Sequence, residues 1–493
     1  MAKYLPTIGI ECHVQLCTKT KLFSEVDNDA RDKEPNSCVS PVDYALPGML
    51  PRLNKGAVCL AIRAGYAMNC EINAYSRFDR KHYFYPDSPK GYQITQFYHP
   101  IIGAGKLNLP DGSDVRIEHA HLEGDAGKLT HYSNYSLVDL NRVDTPLIEI
   151  VSMPDIHSAK QAAMYCKELW RTMLFARVTY GDLYNGNMRF DVNISLAPEG
   201  SDELGTRAEV KNLNSFRSVE RAVNYEIKRQ TKILDQGEKV IQETRGWNDN
   251  TGETSSQRSK EAAQDYRYMP EPDLPPLRLS ENMITAEKDK LPLLPNDYRQ
   301  IFADVIPVDI LEILLDYPQL TEKLYSVLQE NVPTTTPKTV SREAQKTVKS
   351  IANLFASVLL AEEKSVEMLD RLPSTKQLLD LTEMNAKQEL SSTATKTVFL
   401  KFFDPKMSQK DTRVIAKELG VIQQNDTEAL SKIVDEVLAK PETQKAQADF
   451  KAGQEKVIGF LVGQVMKASK GQANPATAQQ ILREKLAVTK MTK

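Results

Sequence analysis

Residues 6–16 read PTIGIECHVQL, a segment in which apolar and polar side chains alternate. This two-residue period is typical of a β-strand with one apolar and one polar face. The apolar face consists of Ile8, Ile10, Cys12, Val14 and Leu16, and the polar face of Gly9, Glu11, His13 and Gln15. Residues two apart on a strand are separated by roughly 7 Å, so Glu11 and His13 can reach one cation or one substrate group. Taken alone, the segment also fits an amphipathic edge strand with solvated polar residues.

The composition of the chain restricts its class. Its 493 residues are too many for one ordinary core, which predicts roughly two to four domains. Hydrophobic residues make up 41% and charged residues 26%, and no apolar run approaches the length that spans a bilayer, so we expect no membrane segment. The first residues lack the pattern of a signal peptide, which predicts a cytoplasmic protein. Six cysteines without a C-x-x-C pair favour neither a disulfide framework nor a Cys-ligated zinc site.

Charge is distributed unevenly along a chain whose net charge is only -3. Residues 451–493 contain eight Lys or Arg and two Glu, an excess of six positive charges. Such an excess predicts an anionic partner, and nucleic acid is the first candidate. A solvated charged tail is the alternative.

The pattern of the first part of the chain predicts an α+β fold. Residues 1–292 combine strand-like runs at 142–152, 188–196 and 206–213 with helices that begin at Ser158 and at about 215, and we expect an antiparallel sheet. Residues 268–280, YMPEPDLPPLRLS, interrupt this pattern because proline neither donates to a ladder nor continues a helix. An all-helical domain is predicted for 293–407 and a small helical domain for 408–493, whose last helix begins at Asn474 and Pro475.

Four segments of the first part place polar groups in strand-like or tight-turn sequence. They are Glu11 with His13, the run HAHLEGDAGK at 119–128, Glu149, and Asp191. A carboxylate buried without a partner costs several kcal/mol, so each requires a cation or hydrogen-bond donors. One divalent metal would satisfy all of them, and oxygen ligands with a single histidine favour magnesium over zinc. Separate pairing of each carboxylate with Arg or Lys is the alternative.

Basic residues near these segments suit an anionic triphosphate. The candidates are Arg77, Arg80, Lys81, Arg189, Arg207 and Lys211. No G-x-x-x-x-G-K-[ST] loop is present, so a nucleotide site must be of another kind. The residues alone therefore indicate metal-assisted phosphoryl or acyl chemistry.

Several longer motifs carry a resemblance to a known family. They include IGIECHVQL (8–16), ALPGMLPRLN (45–54), SRFDRKHYFYPDSPKGYQITQF (76–97), LVDLNRVDTPLIEIVSMPDI (137–156), AEVKNLNSFRSVERAVNYE (208–226), DYRYMPEPDLPPL (265–277) and FLVGQVMKASKGQANP (460–475). Together, and in this order, they closely resemble the B subunit of the tRNA-dependent amidotransferase GatCAB, from about residue 4 to residue 486.

This resemblance implies a two-step reaction and two partner subunits. The family uses ATP to phosphorylate the side-chain carboxylate of Glu on tRNA(Gln), or of Asp on tRNA(Asn), and then displaces phosphate with ammonia. The ammonia comes from glutamine in the A subunit, and a small C subunit wraps the pair. Whether one or both tRNAs are substrates is left open by the sequence.

The resemblance also implies roles for residues and domains. Glu11, His13, Glu149 and Asp191 would act as catalytic residues and magnesium ligands, with Glu123 as an additional candidate ligand. Residues 1–292 would form the cradle domain in which the kinase and transamidase steps occur, and 408–493 a YqeY-like tail that binds tRNA through Lys467, Lys470 and Gly471.

Three departures from the family pattern affect these expectations. Ser40 and Asp43 occupy the place of paired zinc-binding cysteines, so we expect no zinc. Gly124 replaces a carboxylate in the motif E-E-D-A-G-K, and Tyr184 and Asn185 replace an acidic pair. These changes keep open a tRNA-binding scaffold with little chemistry of its own. A metal-dependent hydrolase is a weaker alternative, because no Ser/His or Cys/His nucleophile pair is recognised.

Overall fold

The computed structural model describes residues 4–201, 203–259, 266–331, 340–423, 427–469 and 473–488. The chain divides into two compact units, Met1–Tyr298 and Arg299–Lys493. The predicted boundaries near residues 292 and 407 are not tested by this division and remain a prediction. Among the described residues, no helix combines the length and the apolar character needed to cross a membrane.

Fourteen strands are formed by the described residues of the first unit. They are β1 (Tyr4–Gln15), β2 (Tyr75–His82), β3 (Tyr92–His99), β4 (Gly105–Asn108), β5 (Asp114–Gly124), β6 (Lys128–His131), β7 (Ser136–Asp139), β8 (Pro146–Ser152), β9 (Met188–Pro198), β10 (Ala208–Leu213), β11 (Glu243–Asn248), β12 (Glu253–Ser259), β13 (Met269–Pro270) and β14 (Leu277–Arg278). Eight of them build one sheet in the order β12-β11-β10-β9-β1-β8-β5-β4. All of its pairs are antiparallel except β10 with β11, which confirms the predicted antiparallel sheet and α+β class.

Strand β1 lies in the interior of this sheet between β8 and β9. Its register places His13 opposite Glu149 on β8, and Glu11 opposite Asp191 on β9. The edge-strand interpretation of residues 6–16 is therefore wrong, because both sides of β1 are paired. The register also shows why polar residues distant in the sequence share one face.

The apolar face of β1 belongs to the main hydrophobic core. Ile8, Ile10, Cys12 and Val14 are buried in one cluster with residues of the helices α1 (Lys55–Ala67), α2 (Ala159–Phe175) and α3 (Phe216–Asp235). Ser158 caps α2 as predicted, since its side chain accepts a hydrogen bond from the backbone of Gln161. With one face covered by helices, the opposite face of the sheet is left for polar side chains.

A smaller sheet is built around β2. It pairs with β3 and with the two short strands β13 and β14, which come from the proline-dense segment. Backbone bonds from Glu271 to Phe78 and from Leu279 to Ala74 continue this attachment. Of the four prolines in this segment, only Pro270 lies in a strand, at the end of β13, and the other three lie in the connection between β13 and β14. A missing backbone donor is tolerated at the end of a short flanking strand and in a connection.

The chain beyond the sheets is helical. Its helices are α4 (Glu281–Lys288), α5 (Pro295–Phe302), α6 (Val308–Leu314), α7 (Pro318–Asn331), α8 (Arg342–Leu354), α9 (Ser365–Leu369), α10 (Thr375–Ala386), α11 (Ser392–Lys401), α12 (Thr412–Glu418), α13 (Thr427–Leu438), α14 (Gln444–Lys451), α15 (Ile458–Ala468) and α16 (Pro475–Val488). The predicted start of the last helix is confirmed, because Asn474 accepts a hydrogen bond from the backbone of Ala476 at 2.9 Å.

Candidate active site

A cavity of about 550 Å³ opens on the polar face of the large sheet. Carboxylates, a histidine and cations from five strands meet around it. Those used below are His13, Lys81, Glu123, Arg189, Asp191 and Lys211. The pleat of the large sheet brings together the residues of β1, β5, β9 and β10, because every second residue of each strand faces the same side. Lys81 comes from β2 of the smaller sheet.

The first group of potential ligands consists of His13, Glu123 and Glu149. The Nε2 atom of His13 lies 3.6 Å from Oε1 of Glu123 and 3.5 Å from Oε2 of Glu149. His121 completes the arrangement, with its Nε2 atom 3.6 Å from Glu149 and 3.8 Å from Glu123. One ligand atom from each of the first three residues falls within 4.8 Å of the others, a spacing that one metal ion can bridge.

Electrostatics couple the members of this first group. Burial alone would lower the pKa of His13, but its contact with Glu149 and the charges of Glu149 and Glu123 outweigh burial and raise the pKa to about 9. Burial also opposes ionisation of Glu149, yet His121 and His13 hold the pKa of its carboxyl well below the usual range. The group therefore keeps an ionised carboxylate in a largely buried position.

Glu11 and Asp191 belong to a second group, together with Glu209. The Nζ atom of Lys211 lies 3.1 Å from Asp191 and 2.9 Å from Glu209, so an ammonium group already neutralises part of this second group. Glu11 accepts a hydrogen bond from Asn193 at 2.8 Å. Burial and the nearby charge of Glu149 raise the pKa of Glu11.

Two further cations, Arg189 and Lys81, line the cavity. Arg189 donates to both carboxylate oxygens of Asp125, at 3.2 and 3.3 Å. Burial disfavours the charge of Lys81, but Glu123 and other nearby groups outweigh it and raise the pKa of this lysine. Both residues therefore present positive charge to whatever enters the cavity.

The structure brings together some of the predicted phosphate-binding residues and separates others. Lys81, Arg189 and Lys211 line the cavity of about 550 Å³, whereas Arg207 lines a second cavity of about 250 Å³ that also contains Glu11. Arg77 and Arg80 do not line the first cavity. Arg80 instead donates to Glu271 at 2.8 and 2.9 Å, and a guanidinium nitrogen of Arg77 lies 3.8 Å from Asp79.

The sequence analysis singled out the segment 119–128 without giving His121 or Asp125 a role in the site, and it missed Glu209. His121 and Asp125 lie in the segment 119–128, and His121 is two residues from Glu123 on β5, so the strand period could have placed it on the same face. Glu209 is likewise two residues before Lys211 on β10. The contact between Asp125 and Arg189 depends on tertiary structure and has no local signal.

Two of the departures from the family pattern have structural explanations. A Cβ atom added at Gly124 would lie 2.6 Å from Oδ1 of Asp144 and 3.4 Å from Phe23, away from the contacts of the neighbouring Glu123. Asp43 pairs with Lys21 at 3.2 Å, with both side chains fully buried, and also accepts from the backbone of Ser40. A buried ion pair therefore occupies the segment where zinc-binding cysteines were expected in the family.

Tyr184 and Asn185 lie in a turn beside the cavity. Tyr184 lines the cavity and is 97% exposed, and Asn185 donates to Asp182. In the second unit, Lys467 is exposed in the last turn of α15. Lys470 and Gly471, the other predicted tRNA-binding residues, lie outside the described residues.

Comparisons with known proteins cover nearly the whole chain. Residues 6–285 match the family described as the GatB/GatE catalytic domain, and residues 336–486 match the GatB domain. A relative from Carboxydothermus hydrogenoformans is 40% identical over 99% of this chain and 100% of its own length, and one from Geotalea uraniireducens is 42% identical over 98% and 99%. Both relatives are named as the B subunit of an aspartyl/glutamyl-tRNA(Asn/Gln) amidotransferase.

Proposed function

The chain belongs to the family of aspartyl/glutamyl-tRNA(Asn/Gln) amidotransferase B subunits, and we propose that it activates the side-chain carboxylate of an amino acid misacylated on tRNA. In the proposed first step, the carboxylate of Glu on tRNA(Gln), or of Asp on tRNA(Asn), attacks the terminal phosphorus of ATP and ADP leaves. Ammonia then attacks the acyl phosphate, phosphate leaves, and the amide forms. The chain would thus serve a carbon–nitrogen ligase with glutamine as the amide donor.

The proposal includes partners and a location. A glutaminase, the A subunit, would release ammonia from glutamine, and a small C subunit would complete a heterotrimer. The substrates would be Glu-tRNA(Gln), Asp-tRNA(Asn) or both. We place the reaction in the cytoplasm because aminoacylated tRNAs are used there.

Magnesium fits the first group, His13 with Glu123 and Glu149, better than the second. Hard carboxylate oxygens suit this ion, and magnesium binding would displace the proton that Glu149 and Glu123 hold on His13, so that the imidazole could serve as a ligand. In the second group, Lys211 already occupies the space between Asp191 and Glu209. When bound, magnesium would offset the negative charge of the ATP phosphates.

The cations of the cavity would bind and orient the anionic substrates. Phosphoryl transfer depends mainly on positioning and charge neutralisation, and Lys81, Arg189 and Lys211 supply three positive charges from three strands. Asp125 holds the guanidinium of Arg189 in place, so this side chain loses little freedom on binding. These contacts support binding of both the triphosphate and the carboxylate that attacks it.

Glu11 and Asp191 would serve the ammonia step. Glu11 and Asp191 belong to the second group, and Glu11 also lines the second cavity. Its raised pKa makes it a better proton acceptor than an exposed glutamate, so it can take the proton of an arriving ammonium ion. We therefore assign the ammonia approach to the side of the second cavity.

The observation that carries the proposal is the convergence of two carboxylates, a histidine and three cations around one cavity. The test uses the chain in complex with its A and C partners, supplied with Glu-tRNA(Gln) or Asp-tRNA(Asn), ATP and glutamine, with identification of the amino acid released from the tRNA. We expect His13→Ala to abolish tRNA-dependent ATP cleavage while glutamine hydrolysis persists. His131→Ala, which changes an exposed histidine of the β6–β7 hairpin, is the matched control and should leave both activities unchanged.

The alternative, a tRNA-binding scaffold with little chemistry of its own, predicts the opposite result for ATP cleavage. A chain that only binds tRNA would support no tRNA-dependent ATP cleavage in the wild-type complex, although tRNA would still bind. Activity of His13→Ala equal to the wild type would show instead that the first group is structural.

A further inference from the structure

An aromatic surface extends from the cavity along the small sheet. Tyr266 lines the cavity, and its ring centroid lies 6.2 Å from that of Tyr268. The ring of Phe97 stacks on Tyr268 at 4.1 Å with an interplanar angle of 16°, and Tyr98 lies 6.5 Å from Tyr268. We call Phe97, Tyr98, Tyr266 and Tyr268 the aromatic rim. Three of its rings come from two of the longer sequence motifs, Phe97 from 76–97 and Tyr266 and Tyr268 from 265–277. The proposed reaction uses these motifs only for Lys81 and for the wall of the cavity.

The outer rings of the aromatic rim, Phe97 and Tyr98, are exposed to solvent on an ordered backbone. Phe97 is 53% exposed and Tyr98 54% exposed. The backbone N–H groups of both residues donate to Oδ2 of the fully buried Asp79, each at 3.1 Å. This carboxylate fixes the backbone of both residues, and the stack on Tyr268 orients the ring of Phe97, so the exposed rings project from an ordered part of the fold.

Two cations lie beside aromatic rings in this region. The Nζ atom of Lys81 lies 4.8 Å from the ring centroid of Tyr266 in the aromatic rim. The guanidinium of Arg267, the residue between Tyr266 and Tyr268, lies 5.7 Å from the ring centroid of Phe84, an exposed residue outside the rim. Exposed rings interleaved with cations are typical of surfaces that bind single-stranded nucleic acid, where bases stack on the rings and cations meet the phosphates.

We propose that the aromatic rim stacks the unpaired 3′-terminal bases of the tRNA. The inference rests on the proposed function, because the amino acid that must enter the cavity is esterified to the terminal ribose of the tRNA. The terminal base must then lie at the mouth of the cavity, where Tyr266 begins the aromatic rim. Stacking tolerates any base and positions the ester without reading sequence.

The test measures how much the 3′ end contributes to affinity. The amidotransferase complex is titrated with uncharged tRNA that is complete or lacks its unpaired 3′ nucleotides. For the wild type we expect trimming to weaken binding roughly tenfold, the effect of losing one stacked base. Phe97→Ala should weaken binding of complete tRNA by a similar factor, and trimming should then cost little more. Phe97→Leu, which keeps an apolar side chain of similar volume, should behave like Phe97→Ala.

The matched control is Tyr132→Ala. Tyr132 is 51% exposed and stacks on Tyr135 at 4.7 Å, but it does not line the cavity. This variant should keep the full trimming effect. Thermal unfolding of each variant complex checks that the fold is intact.

Other outcomes would overturn the inference. An unchanged trimming effect in both Phe97 variants, or no trimming effect in the wild type, removes the aromatic rim from tRNA binding. Loss of the A or C subunit from the Phe97 variants with an unchanged trimming effect would identify a protein interface. The proposed function is tested separately, by tRNA-dependent ATP cleavage. If the wild-type complex shows the trimming effect but cleaves no ATP, the proposed reaction is wrong while the role of the aromatic rim in tRNA binding stands.

Discussion

At the scale of single residues, Gly124 shows how a glycine in a strand reflects close packing. Its missing Cβ leaves room for Asp144, which pairs with Lys90 and adopts a φ of 58°. The neighbouring Glu123 contacts His13, so the two residues face different surroundings. A side chain at position 124 would start beside Asp144 and not beside His13, so the glycine leaves the contacts of the first group unchanged.

We expect Gly124→Ala to destabilise the protein. The added Cβ meets buried atoms of Asp144 at 2.6 and 3.3 Å, and overpacking of this kind costs about 1–3 kcal/mol. Urea unfolding of the two proteins measures the difference. Gly463→Ala is the control, because a Cβ at this position in α15 meets nothing within 4 Å and alanine favours a helix. Equal stability of Gly124→Ala and the wild type would contradict the close approach.

The buried pair Lys21–Asp43 gives a second prediction at this scale. Asp43→Asn leaves the fully buried ammonium of Lys21 without its partner, so we expect a loss of about 3–5 kcal/mol in the free energy of unfolding. Asp114→Asn breaks the exposed pair with Lys106 and should change stability little. If chemical denaturation gives similar values for both variants, the buried pair does not stabilise this segment.

The sequence predicted the composition of the site better than its internal grouping. The period of residues 6–16 was enough to place Glu11 and His13 on one polar face. It could not show that His13 joins Glu149 and Glu123 while Glu11 joins Asp191 and Glu209, because this division depends on side-chain directions across five strands. The pairing of Arg80 with Glu271, 191 residues away, likewise has no local signal.

At the scale of elements, the attachment of α3 to the large sheet centres on Glu226. This fully buried carboxylate accepts hydrogen bonds from Arg229 on the same helix and from Thr254 on β12 at 2.6 Å. Arg245 on β11 lies 3.2 Å from it. The pattern of the segment 215–234 predicted the helix, but the polar contacts that fasten it to two strands follow from tertiary structure.

Glu226 predicts a dependence of stability on pH. Burial raises the pKa of Glu226, but the bonds from Arg229 and Thr254 outweigh burial, and the net pKa lies below the ordinary value of 4.5. The ionised form therefore stabilises the fold above about pH 4.5, and this contribution is lost as the pH falls through the lower, folded-state pKa. We expect Glu226→Gln to cost about 1.5–3 kcal/mol at pH 7 and less below pH 4. Denaturant unfolding across this range measures it, and a constant difference would show that the charge of Glu226 contributes nothing.

At the scale of the whole molecule, the change from a mixed α/β pattern to a helical pattern near residue 290 was readable from composition, whereas contacts between the helices were not. The predicted boundary near 407 falls next to contacts within the second unit. Gln377 on α10 donates to the backbone carbonyls of Ser408 and Lys410 at 2.9 and 3.0 Å, and Thr412 on α12 donates to the carbonyl of Gln377. Composition cannot reveal such contacts, since they join helices that are each amphipathic on their own.

The two units give the last prediction, which compares chains ending at residue 298 and at residue 410. A chain of residues 1–298 keeps the first unit whole, so we expect a single cooperative unfolding transition. A chain of residues 1–410 loses Thr412 and the buried Ile415 from the second unit, so it should expose apolar surface and bind a hydrophobic dye.

Both chains lack the basic residues of 451–493. In complexes with the A and C subunits, their tRNA affinity should therefore fall less steeply with salt than that of the full chain, because fewer phosphates are neutralised. Salt titrations of tRNA binding measure this slope, and equal slopes for all three chains would mean that residues 451–493 do not contact tRNA. In the unfolding experiment, dye binding by the chain 1–298 and not by the chain 1–410 would place the boundary between the units elsewhere.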